Sequence, residues 1–138
     1  MLEEISRKLV GILERNSSLT NSEIAKMLGL TEGAVRKRIK KLESDRVIVG
    51  YKARVRHQLI DETMLIIGLS IAPEHFRSVI EKIKRINEVS EIYATTGDHS
   101  AIFVASLESV KANSFVKRIE EIKGVTAVYP AFVQEIIK

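Results

Sequence analysis

Residues 20–42 read TNSEIAKMLGLTEGAVRKRIKKL, and few folds accommodate such a run. Thr20 followed by Glu23 is a capping-box signature, in which each side chain can satisfy the other residue's free backbone N–H and so start a helix. Ile24, Ala25 and Leu28 then fall on one inward face. Gly29 supplies the left-handed turn that ends this short helix. Thr31 can cap the next one, with Val35, Ile39 and Leu42 at i, i+4 and i+7. Upstream, residues 3–15 place Ile5, Leu9, Ile12 and Leu13 on one helical face before NSSLT interrupts them. Two short helices joined by a tight glycine turn, with Ala25 small enough for a close crossing, define the helix-turn-helix plan.

With Val35, Ile39 and Leu42 inward, a step of about 100° per residue points Gly33, Arg36, Lys37 and Lys40 outward. A helix that enters the major groove needs cations outside and a small residue near its N-terminal end, so that the backbone can approach. Asn21, Thr31 and Glu32, at the starts of the two helices, complete the candidate DNA-facing set. Arg38 falls beside the apolar stripe and is expected to be partly structural. VIVGYKARV, residues 47–55, alternates like a strand, with Lys52, Arg54 and Arg56 on one face. It reads either as a basic ribbon reaching phosphates or as a linker strand with a solvated edge. Charge divides along the chain in the same sense. Residues 1–58 carry 13 Lys and Arg against 7 Asp and Glu, whereas residues 59–138 carry 9 against 11. A basic half joined to a mildly acidic one suggests that the first meets a polyanion.

From Thr63 the hydrophobic period changes. MLIIGLSI is a short apolar strand, and PEHFRSVIEKIKRI a helix begun by Pro73 with Phe76, Val79, Ile80, Ile83 and Ile86 inward. VSEIYATT and SAIFVASL are two further strands. SVKANSFVKRIEEIKG is a second helix closed by Gly124, and VTAVYPAFVQEII a last strand. The order βαββαβ is the ferredoxin-like plan, an α+β unit with both helices on one face of an antiparallel sheet. Pro130 cannot donate to a ladder, which assigns the last strand to an edge. The division expected is 1–50 for the helix-turn-helix domain, 51–62 for a linker strand and 63–138 for the βαββαβ domain. Leu65, Ile67 and Leu69 alternate with Met64, Ile66 and Gly68, and Ile102 and Val104 with Ala101, Phe103 and Ala105. Both sheet faces are thus apolar while two helices cover only one. The exposed face predicts a homodimer packed face to face, and a glutamate in place of Phe103 is expected to break it.

Other chemistry is narrowed by composition. With 138 residues and 45% hydrophobic content the chain can bury a core, and with no cysteine it has neither disulfides nor thiolate metal sites. No apolar run is long enough to span a bilayer, and MLEEISRKLV lacks the pattern of a signal peptide, so a cytoplasmic protein is expected. No metal or cofactor is expected either. TTGDHS, residues 95–100, invites a catalytic reading, but adjacent turn residues cannot converge into a nucleophilic relay. One Asp and one His are too few to hold a metal. His57, in the linker, and His75, in the first turn of a helix, read as solvent-exposed. Two readings of the hexapeptide stay open. Gly97 suits the positive φ of a tight hairpin with Asp98 and His99 at its polar tip. Alternatively its N–H groups hold a carboxylate while Asp98 takes an ammonium group, with Thr96, Ser100 and Tyr129 as polar neighbours.

Taken together, LTNSEIAKMLGLTEGAVRKRIKKLE, then VIVGYKARV, then a βαββαβ unit carrying TTGDHS, the chain resembles the Lrp/AsnC family of feast/famine transcription regulators over nearly its whole length. The resemblance implies a winged or plain helix-turn-helix protein that binds double-stranded DNA at pseudo-palindromic promoter sites. It also implies a homodimer assembling to higher even oligomers such as octamers, and a small-molecule effector, commonly an amino acid, held near Gly97 and Asp98. Three positions depart from the family pattern. Arg46 stands where glycine is usual, predicting a different helix end; Ser100 replaces an acidic residue, and Pro130 a threonine. The alternatives are an enzyme like the siroheme decarboxylases, which share a similar two-domain plan, and a DNA-binding architectural protein without an effector.

Overall fold

A computed structural model describes all residues 1–138, which form two compact units, Met1–Arg54 and Val55–Lys138. The first holds α1 (Glu4–Arg15), α2 (Asn21–Leu28) and α3 (Glu32–Ser44). The capping box forms as expected: the Glu23 N–H donates to Thr20 Oγ1 at 3.1 Å, and the Thr20 N–H to Glu23 Oε2 at 2.8 Å. Gly29 takes φ 66 and ends α2. Thr31 caps α3 by accepting from the Ala34 N–H at 3.1 Å. Leu9, Leu13, Ile24, Ala25, Val35 and Leu42 close the core, and Ile39 packs against it half-buried.

Two expectations about the end of this unit are corrected. α3 does not end differently for want of glycine: Arg46 itself adopts φ 58. Its N–H donates to the Glu43 carbonyl at 3.1 Å and the Val47 N–H to the Leu42 carbonyl at 2.9 Å, the paired bonds of a left-handed helix cap. Those bonds, beside the buried Leu42, hold an arginine in a region that disfavours an L residue by about 1–2 kcal/mol. Residues 47–56 form no strand, although their alternation predicts one. Alternation fixes which side chains share a face, but a ladder also needs a neighbouring strand, and the three helices offer none. The expected linker strand at 51–62 is instead irregular chain, a 3-10 turn at His57–Ile60 and the start of the first sheet strand.

The second unit contains β1 (Glu62–Ile71), α4 (Phe76–Lys84), β2 (Val89–Ala94), β3 (Ala101–Glu108), α5 (Ala112–Glu120) and β4 (Val125–Phe132). The antiparallel sheet has the order β2-β3-β1-β4, the ferredoxin-like arrangement. Pro130 lies opposite Ile67 on the edge strand β4. That strand's last bond to β1 runs from the Val133 N–H to the Met64 carbonyl at 2.9 Å, short of the end of the apolar run at Ile137. Leu65, Ile67, Leu69, Phe103 and Ala105 are buried against Val79, Ile83, Phe115 and Ile119 of the helices. Phe103 therefore belongs to the covered face, its ring edge-on to Phe115 with centroids 6.5 Å apart. The expectation that it faces a partner is wrong, because two apolar faces give alternation no means of telling covered from open. Ile66, Val104 and Ala131 pair across the open face, as do Gly68, Ile102 and Tyr129. Ile66 remains 40% exposed, and Tyr93 and Tyr129 51% each.

Candidate DNA-reading helix and ligand site

On α3, Gly33, Arg36, Lys37 and Lys40 are exposed, as the helical wheel requires. Arg36 is not isolated: its Nη2 donates to Glu32 Oε1 at 2.9 Å, one turn towards the helix start. Lys41, on the adjacent row, donates to Asp45 at 2.9 Å, and that bond and the carboxylate charge raise its pKa. Arg38 is partly structural as expected, bonded to Glu3 at 3.1 Å and to Ser6 Oγ at 3.3 Å. A Cβ added at Gly33 would meet nothing within 4 Å. Packing inside the unit therefore does not require glycine there. Asn21, half-buried, opens α2, and the Thr31 hydroxyl is taken up in its cap. Lys52 and Arg54 do not stand on a strand face. They line a groove with Arg15, Asn16 and Ser18 at the end of α1.

In the second unit, TTGDHS joins β2 to β3. Gly97 has φ 103, and Thr96 and Asp98 are exposed. The Thr95 hydroxyl donates to the His99 carbonyl at 2.7 Å and fixes the turn. Ser100 is built into the sheet: its N–H donates to the Leu69 carbonyl at 2.8 Å, and its Oγ accepts from the Ile71 N–H at 3.1 Å. His99 is not at a solvated tip. Its imidazole lies over Gly68 of β1, where a Cβ would come within 2.8 Å of three ring atoms. Tyr129 flanks it, ring centroids 4.9 Å apart at 44°. Nδ1 of His99 is buried without a hydrogen-bond partner. The hexapeptide, Gly68 and Tyr129 thus converge at one end of the open sheet face. Sequence reasoning passed over Gly68, although glycine inside a strand is itself a signal of close approach.

His57 also departs from expectation. Its side chain is only 18% exposed, with Nδ1 2.9 Å from Glu62 Oε2 and Nε2 3.3 Å from Ser106 Oγ. Carboxylate, imidazole and hydroxyl stand in line, as in a nucleophilic relay. The Ser106 N–H, however, is committed to the Glu88 carbonyl at 3.0 Å and is not free to stabilise an oxyanion. The chain of contacts instead pins the 3-10 turn to the sheet.

A helix-turn-helix with a cationic second helix, followed by a separate βαββαβ unit, is the architecture of a DNA-binding protein with a second, independently folded domain. Residues 2–49 match the winged helix-turn-helix DNA-binding family, and residues 64–138 the Lrp/AsnC ligand binding domain. The chain belongs to the Lrp/AsnC family of transcriptional regulators. It is 36% identical over 141 residues to the HTH-type transcriptional regulator LrpA of Pyrococcus horikoshii, with all of both chains covered. It is 34% identical over 113 residues to the HTH-type transcriptional regulator Ptr1 of Methanocaldococcus jannaschii, covering 81% of this chain and 76% of that one. Among solved structures, PH0061 superposes with a TM-score of 0.87 at 25% identity, covering 100% and 96% of the two chains. The Neisseria meningitidis regulator NMB0573, solved with L-Met, gives 0.74 at 23% identity, covering 100% and 93%.

Proposed function

We propose that this regulator reads double-stranded DNA with α3 and binds an amino acid or similar small zwitterion at the turn of residues 95–100. The ligand shifts an assembly built on a face-to-face homodimer. The observation that carries the ligand reading is His99, seated on Gly68 against Tyr129 with Nδ1 buried and unsatisfied. A buried polar atom without a partner is costly, and a site completed by ligand or partner subunit removes that cost. Asp98, exposed beside it, supplies a carboxylate for an α-ammonium group. Ser100 contributes through the backbone geometry it fixes rather than through a free acceptor. The NMB0573 complex with L-Met is consistent with an amino acid as the class of ligand.

The test is a thermal-shift screen of the twenty amino acids, followed by calorimetry on each hit. A charge-assisted hydrogen bond contributes roughly 1.5–3 kcal/mol, so Asp98→Ala weakens binding about tenfold or more and leaves the oligomer intact. If no amino acid raises the melting temperature at millimolar concentration, the turn is structural only. For DNA, a site is obtained by selection from random duplexes. Arg36→Ala then loses roughly 1–3 kcal/mol at one guanine, whereas Lys40→Ala lowers affinity for all sequences and flattens the salt dependence. The face-to-face dimer is tested at Ile66, which is exposed on the open face, rather than at the buried Phe103. Ile66→Glu puts a charge on the open face and yields a folded monomer by size exclusion with light scattering, whereas an unchanged oligomer places the interface elsewhere.

A further inference from the structure

Within the DNA reading, the first residue of α3 carries the wrong charge for the end of the helix that meets bases. Glu32 shares the row of Arg36 and Lys40 at four-residue spacing, on the helix face that meets a polyanion. Its carboxylate is 54% exposed and holds the half-exposed Arg36 guanidinium at 2.9 Å. Folding explains it only in part. A carboxylate in the first turn of α3 suits the positive end of the helix dipole, but Thr31 already caps the helix, and an exposed i,i+4 ion pair contributes little to stability. Against DNA a carboxylate is costly, since phosphates repel it. The compensation lies in geometry. Recognition helices contact base edges with their N-terminal residues, and Glu32 turns the Arg36 guanidinium towards that end of α3. An arginine already aimed retains more of the bidentate geometry that guanine offers through O6 and N7.

We propose that Glu32 is a specificity-determining positioning residue. It aims Arg36 at a guanine, and it weakens binding to every duplex on which Arg36 finds no such partner. Its two effects separate by substitution. Glu32→Gln removes the charge. Glu32→Asp keeps the charge but is one methylene too short to hold Arg36.

Affinities are measured for the selected site, for single-base variants of it and for random-sequence duplex, at two salt concentrations. The proteins are the wild type, Glu32→Gln, Glu32→Asp, Arg36→Ala and the double variant Glu32→Gln/Arg36→Ala. Glu32→Gln binds random duplex several-fold tighter, up to roughly tenfold for one phosphate contact no longer opposed, and loses several-fold discrimination at the base that Arg36 reads. Glu32→Asp loses the same discrimination while its binding to random duplex stays weak. The double variant discriminates no worse than Arg36→Ala alone, because the carboxylate acts through the arginine. The positioning role is overturned if Glu32→Gln keeps wild-type discrimination at that base, or if it loses discrimination at a different base, which would mean direct reading of a cytosine amino group. It is also overturned if the two losses add. Arg36→Ala that costs no discrimination anywhere removes the base-reading role of α3 itself, a separate failure. Affinities are compared well below the melting temperature of every variant, which keeps folding out of the comparison.

Discussion

Replacing Gly68 with alanine tests the geometry of the ligand end of the sheet directly. The new Cβ would stand 2.8 Å from three atoms of the His99 ring, about 0.7 Å inside the roughly 3.5 Å at which carbon contacts become favourable. Gly68 is flanked in the sheet by Ile102 on β3 and Tyr129 on β4, so its backbone has little room to retreat. The ring must therefore move. Overpacking of this kind costs about 1–3 kcal/mol, and a displaced imidazole also loses its contact with Tyr129, about 0.5–1.5 kcal/mol for an aromatic pair. The lower chain entropy of alanine returns about 0.5–1 kcal/mol. The net expectation is a loss of about 2 kcal/mol, within about 0.5–4 kcal/mol. Chemical unfolding of wild type, Gly68→Ala, His99→Ala and the double variant, followed by circular dichroism, measures it. In the double variant the methyl enters the space the imidazole has left, so the double costs less than the sum of the singles by about 1.5–4.5 kcal/mol. Additivity within about 0.3–0.5 kcal/mol, the behaviour of sites that do not touch, would refute the seating of His99 on Gly68.

Two other substitutions bear on the first unit. Gly33→Ala stabilises the fold by up to about 1 kcal/mol, because a helical glycine gives way to the best helix former in open space. It also weakens DNA binding about tenfold if the small residue lets α3 approach bases; a more stable protein with unchanged affinity rules out that approach. Arg46→Gly relieves the residue at φ 58 and raises stability by about 0.5–1 kcal/mol, read as a higher urea midpoint. A lower midpoint would mean that the arginine side chain contributes more than its backbone strain costs.

What the sequence made legible depended on how local the cause was. The capping box of Thr20 and Glu23 and the turns at Gly29 and Gly97 are settled by neighbours a few residues away, and they formed as read. The βαββαβ order followed from changes of period, and the edge position of β4 from the missing donor of Pro130. The failures had distant causes. Residues 47–55 alternate as a strand does, but pairing needs a second strand, and the three-helix unit that holds all but the last of them provides none. Alternation cannot assign Phe103 to a face because both faces are apolar, and only the packing of α4 and α5 decides which is covered. The seat of His99 depends on three strands brought together by topology, and the environment of His57 on a contact to Ser106 far along the chain. At Arg46 the local preference is for glycine, and the paired bonds of the surrounding cap outweigh it.

The edges of the sheet set a limit on how copies can join. On β4, Pro130 deprives the rim of a donor; on β2, the register slips between Val89 and Glu91, with Ser90 as the extra residue. Each device blunts a rim against the addition of a foreign strand. Lateral growth into a continuous ribbon is thereby disfavoured at both ends, while the broad apolar surface stays open to stacking. A body that can be joined through its surface but not along its rims forms finite, countable particles instead of fibres. For a protein that must stay dispersed enough to search a chromosome, resistance to polymerisation is already present in each single chain.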